Sequence, residues 1–165
     1  MVRVDWKPST SFCASTIFAI PKSSSTLLSR ALLLQGKLDD ARKTAQQGAE
    51  LSLTSSDPAL RLPAQIQQAR VEIATADHQG ANAAAALRSL QSVIATAKRL
   101  GYYNLEGEAR LVLGELELKT NSSLGQKRLA TLASDAHSHG MELLAHQAEQ
   151  AGSNPTILTQ NHSAR

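Results

Sequence analysis

Cysteine is almost missing from this sequence: Cys13 is the only one in 165 residues. A lone thiol excludes an internal disulfide framework and a multi-cysteine zinc site. Aromatic residues make up 3% of the chain, so a β-sheet, which draws on β-branched and aromatic types, has little to build from. No apolar run approaches the roughly 20 residues that span a bilayer. That points away from a membrane and towards the cytoplasm. Charge of one sign is lacking too. Lys and Arg number 17 against 14 Asp and Glu, and the signs are interleaved. A net +3 gives weak general attraction to polyanions and no argument for nucleic acid as a partner.

Alanine and leucine are plentiful, at 26 and 24 residues. Both lose little on entering a helix, and the chain is long enough for one domain with a continuous core. The first 25 residues stand apart, holding the only Trp, both Phe and the only Cys. Residues 12–20 resemble a short secretory core, but Cys, Ser and Thr interrupt it, Asp5 precedes it and no small-x-small cleavage site follows. We read 1–23 as a disordered or poorly docked tail, and 153–165 likewise. The interval 24–152 is the expected folded domain.

Its punctuation is regular. A first helix breaks at Gly36, and a second runs from Leu38 to about Leu53 with Asp39 and Asp40 at the positive end of its dipole. Asp57-Pro58 offers a cap-and-proline helix start, but Pro63 complicates it and a turn is expected over 58–61. Because Pro63 disfavours a helix interior, the third helix is expected from about Leu62. Its Leu62, Ile66, Ala69 and Ile73 form one stripe. A fourth helix, from about Asn82 to Leu100, carries Leu87, Leu90, Ile94 and Ala97 and ends at Gly101.

The stretch ARLVLGELELK, residues 109–119, nearly alternates, as a strand would. Only Val112 is β-branched, however, and two helical stripes fit: Leu105, Ala109, Val112, Leu116, and Gly107, Leu111, Gly114, Leu118. A helix apolar on two sides is covered on two sides. Gly114 then serves close approach of a neighbouring helix, offsetting the roughly 1 kcal/mol that glycine costs in a helix interior. A sixth helix follows from about Leu124 to His139. The seventh, after Gly140, has Met141, Leu144, Ala145 and Ala148 on one face, as the end of a stack requires.

Three helix pairs plus a closing helix, repeating near every 40 residues, are the sequence sign of an all-α solenoid. Gly36, Leu38, Ala41, Ala45 and Gly48 in the first pair, with Leu113-Gly114 and Asn121 in the third, resemble the tetratricopeptide repeat family. The resemblance implies a right-handed α-solenoid of about three antiparallel pairs with a C-terminal capping helix. It implies a non-enzymatic module that binds a protein or peptide segment along the first helices of the pairs. The segment GQKRLATLASDAHSHGMELLAHQAEQA is also similar to the C-terminal repeat region of long bacterial proteins carrying a serine/threonine kinase or a winged-helix region. The alternative expectation is therefore a truncated regulatory part of such a protein.

By that likeness Glu108, Glu115 and Lys119 face the partner. Gln65, Gln68 and Glu72 share a side of the third helix away from Leu62 and Ile66, and an ordinary solvated face is the competing reading. Tyr102 and Tyr103 either anchor a peptide with flat, partly polar rings or cover the junction of the fourth and fifth helices. No catalytic set emerges. Ser134 and His137 can neighbour each other at i,i+3, but they lack an orienting carboxylate and an oxyanion hole. His137 and His139 point in different directions on a helix, and His146 is expected on the next helix with no suitable carboxylate pair, so no metal is expected. No cofactor is expected either.

Overall fold

The computed structural model describes residues 22–75 and 81–153. The expectations for the two tails fall mainly on residues 1–21 and 154–165, outside the described residues. The described chain is all-helical, in the order α1 (Lys22–Leu34), α2 (Leu38–Leu53), α3 (Pro58–Thr75), α4 (Ala81–Leu100), α5 (Tyr103–Thr120), α6 (Ser122–Ser138) and α7 (Glu142–Ser153).

Three of the turns are the same device. At Gly36, Gly101 and Gly140 the backbone has φ near +70° (73°, 73° and 69°). The next residue donates back to the carbonyl five positions earlier: Lys37 to Leu32, Tyr102 to Ala97, Met141 to Ala136, at 3.0, 2.9 and 2.8 Å. Glycine enters this left-handed conformation without steric cost. The other two described turns use polar caps. Asp57 Oδ1 accepts from the Ala59 amide at 2.9 Å, and Asn121 Oδ1 from the Leu124 amide at 3.3 Å.

Those caps correct two expected boundaries. α6 begins at Ser122 rather than Leu124, because Asn121 is its cap. α3 begins at Pro58 rather than Leu62 and runs straight through Pro63. Pro63 removes one amide and crowds the carbonyl of Ala59, but Ala59 lies exposed in the first turn. The helix continues past Pro63 to Thr75.

Packing proceeds in triplets. Leu32 and Leu33 of α1 meet Ala41 and Ala45 of α2 and Val71 of α3. The largest cluster joins Leu62, Ile66, Ala69 and Ile73 of α3 to Ala86, Leu90, Val93 and Ala97 of α4 and to Ala109, Val112, Leu113 and Leu116 of α5. The third joins Leu111 of α5 to Leu129, Leu132 and Ala133 of α6 and Ala148 of α7. The α4 stripe is centred slightly off expectation, since Leu87 and Ile94 are only partly buried.

α5 thus faces two cores, one per stripe. Its glycines mark where helices press against it. A Cβ at Gly114 would lie 2.6 Å from Leu129 Cδ2, and one at Gly107 would collide with Leu144 Cδ2 of α7. Gly125 of α6 returns the favour: a Cβ there would lie 2.5 Å from the Leu118 backbone nitrogen. Consecutive odd helices touch: α1 meets α3, α3 meets α5 and α5 meets α7. Among the described residues α2, α4 and α6 do not approach one another.

Candidate functional site

Consecutive odd helices touch, and polar side chains link α1, α3 and α5. Arg70 of α3 donates from Nη2 to Glu108 Oε1 of α5 at 3.5 Å, and Arg30 Nη1 of α1 stands 3.9 Å from the same oxygen. One carboxylate therefore gathers cations from two other helices. Roughly three turns further along α5, Lys119 Nζ donates to the Ile73 carbonyl of α3 at 2.9 Å. That carbonyl belongs to the last turn of α3, where acceptors lack intrahelical partners.

Glu115 sits between these two links. Burial raises its pKa above the ordinary carboxyl value, while the positive charges of Arg70, then Lys119, then Arg30 pull it back down. Lys119 is its counterpart: desolvation lowers the ammonium's pKa and the Glu115 charge opposes the change. The arrangement is a charge network of half-buried groups, Glu108, Glu115 and Arg70, with Arg30 and Lys119 exposed at its edge. Arg70 Nε, buried and without a hydrogen-bond partner, belongs to the same network.

Beneath it lies a buried polar chain. Gln67 Nε2 donates to Ser29 Oγ at 3.3 Å, and Ser29 Oγ donates to the Ala41 carbonyl at 3.1 Å. This ties α3, α1 and α2 together where apolar contact is sparse. Buried polar groups persist when every one finds such a partner.

The residues expected on this face divide into two groups. Glu108, Glu115 and Lys119 meet α3 and α1 as described. On α3, Gln68 Nε2 donates to Glu72 Oε1 at 3.0 Å, one turn apart, with Gln65 half-buried on the same helix. The two tyrosines lie elsewhere. Tyr102 packs against the α3–α4–α5 core. Tyr103 is 63% exposed and its ring stacks on His139 at the end of α6, centroids 6.2 Å apart.

Sequence reading misses Arg30, Arg70, Ser29 and Gln67. A signal exists for all but Arg30. Ser29 to Gln67 and Arg70 to Glu108 both span 38 residues, the register between successive odd helices. A search for complementary polar residues at that fixed offset finds both pairs.

The histidine reading also needs correction. The sequence suggests no suitable carboxylates around His137 and His146, yet α7 brings Glu142 and Glu149 to His137 at 3.0 and 3.1 Å. The reason is helical: residues seven apart share a face, and both acids project from α7 towards the end of α6. Among the described residues no group of three or more His, Cys, Asp or Glu is arranged to hold a metal ion. No described helix is long and apolar enough to cross a membrane.

The structure therefore defines a class: an all-helical array in which consecutive odd helices touch and polar side chains link α1, α3 and α5. No protein-family model, curated protein or solved structure matches the chain.

Proposed function

We propose that this chain is a tetratricopeptide-like solenoid whose odd-helix face binds a segment of another protein, without catalysis. The observation that carries the reading is the unbroken line of contacts α1–α3–α5–α7, with the even helices kept apart from one another. A stack of this kind presents one extended surface assembled from repeated units. On it, Glu108, Gln68 and Glu72 offer charge and hydrogen-bonding groups, while the ion pairs with Arg30 and Arg70 hold the surface in shape. A preorganised surface loses less entropy on binding.

Selection of peptides against the full chain, followed by NMR mapping of the selected peptide, tests the proposal. Perturbed amide signals should cluster on α3 and α5 around Gln65, Gln68, Glu72 and Glu108. The double change Gln65→Lys and Glu72→Lys should weaken that peptide about tenfold, the effect of ~1.4 kcal/mol, with the helical circular dichroism signal unchanged. Perturbations confined to α2, α4 and α6, or no selected peptide, would reject the assignment.

A further inference from the structure

His137, in the last turn of α6, holds its ring between two carboxylates of α7. Nδ1 is 3.0 Å from Glu142 Oε2, and Nε2 is 3.1 Å from Glu149 Oε1. An ionised carboxylate only accepts hydrogen bonds, and a neutral imidazole has one N–H and one lone pair. With a neutral ring, one of the two contacts therefore sets acceptor against acceptor. Only the imidazolium donates to both.

We propose that the α6–α7 junction is a pH-responsive clasp: protonated His137 grips α7 through Glu142 and Glu149, and loss of that proton loosens α7 from α6 and α5. The surroundings leave this role to His137. On its own helix, Asp135 is occupied by Arg110 of α5 at 2.7 Å. His139 turns Nδ1 to the Asp135 carbonyl at 2.7 Å and stacks on Tyr103 of α5. From α7, His146 Nδ1 lies 3.6 Å from Glu149, and its ring meets that of His137 edge-on at 6.5 Å. Among the described residues the ion pairs of Glu142 and Glu149 are all with histidines.

What the clasp holds down is specific. α7 lays Leu144 over Gly107 of α5 and buries Ala148 against Leu111, Leu129 and Leu132. The hydrogen bond to Glu149 raises the pKa of His137 above its ordinary 6.5; desolvation opposes it, and Glu142 adds to it. A pKa raised by folding gives stability that is fully present below the unfolded value and is lost as pH climbs through the folded one. The window therefore opens at 6.5 and extends upward. The clasp stands whether or not the odd-helix face holds a partner.

Hydrogen exchange of the full chain, read by mass spectrometry at about pH 5.5 and about pH 8.5 and corrected for intrinsic rates, tests it across the histidine range. Protection of α7 relative to α5 should fall about threefold at the higher pH, the scale of two exposed charge pairs. In His137→Gln most of that fall should disappear, leaving at most the contribution of the longer His146–Glu149 contact. NMR titration of the wild-type ring provides a second readout: its midpoint should lie above 6.5 and drop in Glu149→Gln. A wild-type ratio that ignores pH, an undiminished pH effect in His137→Gln, or a midpoint at or below 6.5 overturns the clasp.

Discussion

α1 and α7, the first and last described helices, pack by different means. On α1, Leu27 and Leu34 are 69% and 85% exposed, and the buried apolar cluster beneath α1 and α2 comprises Ala41, Ala45 and Val71. Buried hydroxyls and an amide fill in: Ser29, Ser52 and Gln67 lie in the interior there. At the other end α7 also leaves a leucine outward, Leu143 at 74% exposed, beside Glu142, His146 and Glu149, but it buries Ala145 and Ala148 completely. Leucines of α6 and α7 reach into spaces that glycines leave open. One end relies on directed hydrogen bonds between small residues, the other on close apolar contact. Because apolar burial contributes roughly 25 cal/mol per Å², truncating a buried leucine at the C-terminal end should cost more than truncating an exposed one of α1.

The largest test of that difference is Leu129→Ala. Leu129 is fully buried (0% exposed) and stands over Gly114, so its truncation should cost about 3 kcal/mol, measured by urea unfolding. A cycle with Gly114→Ala sharpens the point. In the wild-type background the added methyl meets Leu129 Cδ2 at 2.6 Å and Cγ at 2.8 Å and should destabilise by about 1 kcal/mol, the net of overpacking and better helix propensity. In the Leu129→Ala background those atoms are gone, and the same change should become stabilising. Additive effects would mean that the two helices are not in contact there.

Gly125→Ala comes next. Its Cβ would lie 2.5 Å from Leu118 N and 2.8 Å from Leu118 Cα, which are backbone atoms and unable to rotate away. A loss of about 2 kcal/mol is expected, and no side-chain truncation on α5 should rescue it. Rescue by Leu118→Ala would show that the tight element is the leucine side chain.

These positions also show how far the residues alone could lead. The two stripes of α5 predict two packed sides, and Gly114 predicts a close neighbour, because period and side-chain size act locally. The side chains sort onto the two cores as those stripes require: Val112 and Leu116 on one, Leu111 on the other. Pro63 misleads, since the loss of one hydrogen bond near the start of α3 is outweighed by the burial of Leu62, Ala64, Ile66 and Ala69 further along, which local propensity does not display. Glu108 is found by likeness, but its cations Arg30 and Arg70 are not, because they come from other helices at offsets that only a fixed inter-helix register supplies. Chemical character groups the two tyrosines, and packing separates them: Tyr102 joins the core and Tyr103 the end of α6.

The smallest expected effect decides whether the comparison holds. Leu34→Ala removes the same atoms as Leu129→Ala, from a site 85% exposed. A side chain already in water loses little transfer free energy on truncation, and alanine's better helix propensity offsets part of what remains. The change should shift the unfolding free energy by less than about 0.5 kcal/mol. Equal chemistry with a several-fold different cost would then report burial alone. A loss near that of Leu129→Ala would mean instead that the outer side of α1 is covered in solution, and the two ends would no longer differ in kind.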